Sequence, residues 1–440
     1  MNSQPDHPVG NFTWALGIED TCVFTADGNS PALDEHELTG HRVSWRDDLA
    51  LAKSLGATSV RYGVSWPLVH VGPHEFDWSL LDEVVEYAAH GLGLELIADL
   101  VHYGTPPWLT ESFVDPRYPE AIERFARELA NRYRDSIRHF TPLNEPITTA
   151  SFCGLRGVWP PALTGWDGWV AVAVPIALGI VRTTHAIREV QPGASIVHVE
   201  AASLFFADDP DLAAHADLLR MVGWLPTDLT LGRVAPGSTE WDWLVDHGAP
   251  EEDLRWLLAN CVVPDVMGVN YYPDLTPRRL ETVSGEVVQV SLNRWVEGLR
   301  EVLNAFEDRY ALPLMVTETS IEGSDTVRQS WLRDSTRAVQ ELRRDGHDIR
   351  GYTWWPLFDF VDWSWASNGE NVEEFAVTHV DGDGAVSVAP APPLGDPRDG
   401  KEPFLRRMGL VRLEEQPDGS LARLRTGAAS EFARVAKGQT

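Results

Sequence analysis

Residues 59–102 read SVRYGVSWPLVHVGPHEFDWSLLDEVVEYAAHGLGLELIADLVH. The first eight are rich in β-branched and aromatic side chains, as a strand requires. In residues 78–90, Leu80, Leu81, Val84, Val85 and Ala88 recur at helical spacing. Residues 95–102 are nearly all apolar, as in a strand buried on both faces. Strand, helix, strand at this spacing forces parallel pairing through a right-handed crossover.

Outward from this unit the alternation continues. A strand over 12–18 precedes it. A helix over 119–133, a strand over 139–143, a helix over 169–190 and a strand over 195–201 follow. Further strands are expected at 265–272, 314–317 and 350–357. Helices are expected at 292–310, at 327–344 and near Glu431. Eight strand–helix units in about 440 residues predict one closed (β/α)8 barrel with long βα loops, a single domain over 1–440. An open doubly wound sheet competes, but no GxGxxG follows the first strand. The Pro/Gly-rich APAPPLGDPRDGKEP (389–403) lies in what reads as a long loop over 368–406, and residues 408–426 read as a β-hairpin turning at Pro417-Asp418-Gly419.

Composition limits the function. With 66 acidic and 36 Lys/Arg residues, a net charge of −30 disfavours nucleic acid and anionic membrane surfaces as partners. Three cysteines (Cys22, Cys153, Cys261) form neither a disulfide framework nor a metal-ligand pattern. No basic segment followed by an apolar run opens the chain, and 170–181, the longest apolar stretch, is too short to span a bilayer and reads as a buried helix. The expectation is a cytoplasmic protein without cofactor or metal, acting on a small molecule; a homo-oligomer is compatible with the sequence. DGDG (381–384) lacks the remaining ligands of a calcium loop and reads as a turn.

Two carboxylates fall at predicted strand ends, Glu145 in TPLNEP (141–146) and Glu318 in LMVTETS (314–320). Strand ends at that face line the active site of such a barrel. Either glutamate alone reads equally well as a helix cap. Together they fit glycoside cleavage with retention, which requires two carboxyls about 5–5.5 Å apart. Strands four and seven face each other across the barrel mouth. An ionised Glu318 would keep a proton on Glu145 for the leaving oxygen; once the sugar esterifies Glu318, Glu145 would serve as base for water.

Those two segments resemble the signatures of the family 1 glycoside hydrolases, the β-glucosidase-like family. GHRVSWRDDLALAKSLGATSVRYGVSWPLV (40–69), DLVHYGTPPWL (99–109), GVNYYPD (268–274), GYTWWPLFDFVDWSWA (351–366) and MGLVRLEEQPDG (408–419) are similar to further family segments, in order. The resemblance implies a retaining β-glycosidase with Glu145 as acid/base and Glu318 as nucleophile. Arg61 would sit beneath Glu318 and hold it ionised. His102 would bond the 3-hydroxyl and Asn144 the 2-hydroxyl of the sugar. Asn270 and Tyr272 would flank the nucleophile, Tyr272 donating to it. Trp355 would form the platform under the sugar and Trp363 its upper edge.

Two positions depart from the family. Its first-strand Gln, which grips the 3- and 4-hydroxyls, has no counterpart in FTWALGIEDT (12–21), where Glu19 or Asp20 stands in. A Glu for the 4- and 6-hydroxyls is replaced by the shorter Asp362, and an adjacent Asn by Phe360. These changes count against plain glucoside specificity and leave a 6-deoxy sugar, a pentose or a disaccharide unit open. Other functions to weigh are a transglycosylase of the same mechanism, a non-catalytic sugar-binding barrel and an open-cleft glycanase. The 368–406 segment, walling the entrance, argues against the last.

Overall fold

The structure is a computed structural model that describes residues 12–24, 31–283, 285–370, 372, 375–380, 386–390 and 394–438. Its centre is a closed barrel of eight parallel strands. These are β1 (Thr13–Gly17), β2 (Ser59–Gly63), β3 (Glu95–Asp99), β4 (His139–Thr141), β5 (Ser195–Ala201), β6 (Val266–Asn270), β7 (Leu314–Glu318) and β8 (Ile349–Trp354). Each pairs in parallel with its sequence neighbours, and β1 closes on β8 with Leu16 opposite Trp354. All eight predicted strands are present. β2, β6 and β7 are buried at every position, the polar Ser59, Arg61, Asn270, Thr317 and Glu318 included. Inside the barrel Ala15, Ile97, Val197, Val199, Val266 and Met315 form a small cluster of their own.

The helices pack outside. Tyr118–Arg132 buries Ile122, Phe125 and Leu129 on one face, at i, i+3, i+7 spacing. Gly165–Val190 is the one described helix long and apolar enough to cross a membrane, and 72% of its apolar window is buried against the rest of the protein. It is a wall helix of the barrel. Leu80, expected on the buried face of the helix read over 78–90, is instead 38% exposed; Leu81, Val84, Val85 and Ala88 form the buried face of Ser79–Val85 and of the π turn Glu86–Gly91 that follows it.

The 368–406 segment is not a plain loop. Its strands Phe375–Val380 and Val386–Pro390 form a hairpin that joins Glu286–Ser291, Pro277–Val283 and Leu204–Ala207 in a five-stranded sheet. FAVTHV and VSVAP carry the β-branched alternation of strands, masked in the sequence by the Pro-rich stretch after them. The DGDG turn lies outside the described residues. The closing hairpin pairs Val411–Glu415 with Leu421–Arg425, as expected, and precedes helix Gly427–Ala436. Buried Asp359 pins the hairpin to β8's loop by accepting from the backbone of Gly409 (3.0 Å) and Leu413 (3.1 Å).

Candidate active site

The C-terminal strand ends open into a cavity of about 230 Å³ lined by Glu19, His102, Tyr103, Glu145, Tyr272, Glu318, Trp355, Phe360, Asp362 and Trp363, among others. Arg61, Asn144 and Asn270 stand behind this lining, each hydrogen-bonded to one of its residues.

Glu318 ends β7 and is 4% exposed. One carboxylate oxygen accepts from Arg61 Nη1 and the other from Tyr272 Oη at 2.7 Å. Burial and the nearby Glu318 carboxylate hold the Tyr272 phenol far above its usual range, so it stays a donor. Arg61 is fully buried in β2 and is shared more widely than expected. It also donates to Asp99 and to Asn144 Oδ1, and its guanidinium lies 4.7 Å from the Trp355 ring centre. Sharing has a consequence for Glu318. Burial lifts its carboxyl, Arg61 opposes and Glu145 adds repulsion, and the result is about 8. The expected bond from Arg61 to Glu318 is present, and it opposes the effect of burial. The cost of removing water outweighs one shared cation.

Glu145 follows β4, with φ at 44°, a left-handed conformation that non-glycine residues seldom hold. Its N–H is bonded to Val199 O on β5 at 3.1 Å, and Pro146 then starts helix Pro146–Ala150. Its side chain accepts from Asn270 Nδ2 at 2.7 Å and from Tyr103 Oη at 2.6 Å. Tyr103 is also left-handed, at φ 68°. Two strained residues that meet at a hydrogen bond are the mark of a site that the surrounding structure over-determines. Asn270 ends β6 and has its own amide oriented by Thr317 Oγ1, which donates to Oδ1 at 2.7 Å.

His102 stands just past β3 with its ring parallel to Trp355, centroids 5.5 Å apart. Nδ1 lies 2.9 Å from Asp20 Oδ1 and 3.0 Å from Asp99 Oδ2. Burial lowers the His102 pKa, but Asp20 and Asp99 more than reverse this and place it well above 6.5. That would put protons on both ring nitrogens. Asn144 Nδ2, however, faces Nε2 at 3.1 Å, and Arg61 fixes that amide by donating to its oxygen. Two donors cannot face each other. The contact geometry favours the singly protonated ring, with its proton on Nδ1.

Of the two candidates for the missing Gln, Glu19 reaches the cavity. It accepts from Trp355 Nε1 at 2.9 Å and from Thr21 Oγ1 at 2.5 Å. Asp20 lies behind, against His102, where burial raises its carboxyl to about 6 against the pull of His102. Trp355 lies on the backbone of Gly17, where an added Cβ would meet its ring at 1.7 Å. Asp362 lines the cavity, yet both its oxygens are engaged, one by its own Ser364 N–H (2.9 Å) and one by Arg406 (2.9 Å). Trp363 packs edge-on to Tyr103 and Trp159 at the rim.

Reasoning from sequence missed three residues. Asp99, at the end of β3, was visible as a lone acid in an apolar strand. Tyr103 adjoins His102 but carried no separate signal. Glu200 is fully buried in β5, where it accepts from the N–H of Ile147 (3.2 Å) and of Ala201 (3.0 Å) and from Thr227 Oγ1 (3.2 Å). It thereby braces the turn that carries Glu145.

The model of the family described as glycosyl hydrolase family 1 matches residues 38–387. The chain belongs to this family. It is accordingly a glycosidase, and the reaction general to the family retains anomeric configuration. The chain is similar to beta-glucosidase 28 of Arabidopsis thaliana, at 25% identity with 79% of this chain and 70% of that protein covered. It is similar to a 6-phospho-beta-glucosidase of Dickeya chrysanthemi, at 23% identity with 84% and 85% covered. A bifunctional beta-D-glucosidase/beta-D-fucosidase of Bifidobacterium breve shares 24% identity, with 84% and 92% covered. In fold it is similar to a beta-glucosidase from Thermotoga maritima in complex with azafagomine, with a TM-score of 0.76 and 16% identity over 97% of this chain and 98% of that one.

Proposed function

We propose that this family 1 glycosidase uses Glu318 as nucleophile and Glu145 as acid/base, on a neutral β-linked sugar that lacks a 6-hydroxyl. The observation that carries the roles is the asymmetry of donors. Glu318 touches the guanidinium of Arg61, whereas Glu145 accepts from the neutral donors Tyr103 and Asn270. The cation beside Glu318 favours a carboxylate there as the attacking group, and the neutral donors beside Glu145 suit the group that passes a proton.

In the first step Glu318 forms a bond to the anomeric carbon while the bond to the leaving oxygen breaks, and Glu145 gives that oxygen its proton. In the second, water attacks the anomeric carbon, Glu145 takes its proton and the Glu318 ester breaks. The sugar lies on Trp355, between His102 and Trp363. Asn144, bridging Arg61 and His102 from behind the lining, is the group proposed to bond the 2-hydroxyl.

The distal end of the cavity supports the choice of sugar. Glu19 and Asp362 set two acidic side chains where a sugar phosphate would lie, and Arg406, which lines the same end, is already held by Asp362 and Glu322. Phe360 adds an apolar wall there, and Asp362 is already bonded on both oxygens. A 6-deoxy sugar or a pentose asks nothing of either.

A 2-deoxy-2-fluoroglycosyl fluoride is expected to add its sugar mass to a peptide containing Glu318. Glu145→Ala is expected to cleave activated aryl glycosides with azide rescue. A label elsewhere, with Glu318→Gln fully active, sinks the assignment of roles. Among aryl glycosides, β-fucoside and β-xyloside should outpace β-glucoside, and the 6-phospho-β-glucoside should be inert; the reverse order overturns the sugar reading alone.

A further inference from the structure

Phe360 and Asp362, which wall the distal end of the cavity, flank Val361 in a short segment after β8. On one edge this segment pairs with Leu405–Arg406, and the Asp362 N–H donates to Phe404 O at 2.7 Å. On the other edge the Val361 N–H meets no strand and donates instead to Glu35 Oε2 at 3.1 Å. Glu35 opens the short helix Glu35–Leu38, and its own N–H donates to Thr21 O at 2.9 Å. Thr21 in turn holds Glu19, its hydroxyl donating to Oε1 at 2.5 Å. One residue thereby ties together the two loops on which Glu19, Phe360 and Asp362 stand.

Glu35 lies outside the cavity lining, is fully buried, and has no partner for its other oxygen among the described residues. Burial, then the Glu19 carboxylate, push its carboxyl well above the usual range, with the Val361 N–H opposing. A buried acid with so little to bond destabilises a fold relative to an apolar side chain of its size. An apolar side chain, however, would leave the Val361 N–H buried without an acceptor, and the segment between Phe360 and Asp362 would have to shift to find one. We propose that Glu35 is a positioning residue for sugar selection: by holding Val361 it sets how closely Phe360 and Asp362 approach the sugar, without touching it. The inference rests on the sugar lying against this end of the cavity, as proposed above, and not on which sugar is preferred.

Two measurements test it. In the first, 1-deoxynojirimycin and its 6-deoxy counterpart, which differ in one hydroxyl, are titrated into the protein and tryptophan fluorescence is read. The wild-type dissociation constants are expected to differ by at least about tenfold, as for a shaped wall that meets or lacks one group. Glu35→Met, similar in size but without an acceptor, should bring their ratio to within about twofold of one. Glu35→Gln keeps the acceptor and should restore the wild-type ratio. If Glu35→Met does not fold, Glu35→Asp, whose carboxyl is drawn back by a methylene, carries the same expectation. In the second, kcat/KM is compared for an aryl β-fucoside and the matching β-galactoside, which also differ only at carbon 6. Their ratio should flatten in Glu35→Met, with Glu318 still labelled by the fluoro sugar. A merely structural brace would lower melting temperature and slow both substrates in proportion, leaving both ratios where they were. That result, or a wild type that tells neither pair apart, overturns the proposal. A flattened binding ratio in a protein that takes no label would uphold Glu35 and sink the catalytic roles instead. Binding of neither compound would sink the placing of the sugar, and the proposal with it.

Discussion

Replacing Arg61 by methionine tests the electrostatic reading most directly. The guanidinium is fully buried, bonded to Glu318, Asp99 and Asn144, so its loss strands two acidic groups. With Arg61 in place Glu318 sits at about 8. The ionised form needed for attack is then about a tenth of the total at pH 7, and kcat/KM should fall on the acid side with an apparent pKa near that value. A unit charge about 4 Å away contributes about 4 kcal/mol at an effective dielectric near 20, or about three pKa units. Arg61→Met should therefore push the acid limb of kcat/KM above about pH 10 and cut kcat/KM at pH 7 by about 10³-fold. The sign follows from chemistry: the nucleophile works as a carboxylate, and a raised pKa keeps it protonated over more of the range. The assay is kcat/KM for a chromophoric aryl glycoside from pH 5 to 10, with thermal melting to show that the variant folds. A folded variant whose acid limb has not moved refutes the argument.

Gly17→Ala should drive a methyl into the Trp355 ring, 1.7 Å away as built, costing about 1–3 kcal/mol in melting experiments and raising KM for aryl glycosides more than it lowers kcat. Glu200→Leu leaves the N–H groups of Ile147 and Ala201 unpaired; kcat should fall about tenfold with KM little changed, and Glu200→Gln, which still accepts, should restore most of it. Glu19→Gln keeps an acceptor for Trp355 Nε1 but removes a charge from the distal wall; slow cleavage of an aryl 6-phospho-β-glucoside should emerge, and its continued absence would show that Glu19 is not what excludes phosphate.

Much of this site is legible in the sequence because it hangs on strand ends. A run such as LMVTE reads as a buried strand, and the acid closing it must then stand at the mouth. Glu145, Asn144, His102 and Trp355 follow from the same logic. What does not follow is contact between residues far apart in the chain. Nothing local in VEAAS marks Glu200 as the brace for a turn near residue 147, and nothing in VHYGT marks Tyr103 as a donor to Glu145. Those bonds are set by how the strands pair around the barrel. The five-stranded sheet escaped for a related reason: its two hairpins, Pro277–Val283 with Glu286–Ser291 and Phe375–Val380 with Val386–Pro390, meet each other and Leu204–Ala207 only through pairings between segments far apart in the chain.

The same distinction explains the acid excess around the pocket. Glu19, Asp20, Asp99, Glu145, Glu318 and Asp362 are all buried, against Arg61 and the half-buried Arg406. Burying more carboxylates than cations destabilises a fold, and here it shows as Asp20 and Glu318 displaced upward to about 6 and about 8. A glycosidic bond breaks through a sugar that carries positive charge at its ring oxygen and anomeric carbon. A preorganised negative field stabilises that charge more than the neutral ground state, because the protein bears the reorganisation cost at folding, before substrate arrives. Two features therefore have one origin: the strain that keeps Glu318 hard to ionise in the empty pocket is the field that favours the transition state once a sugar fills it.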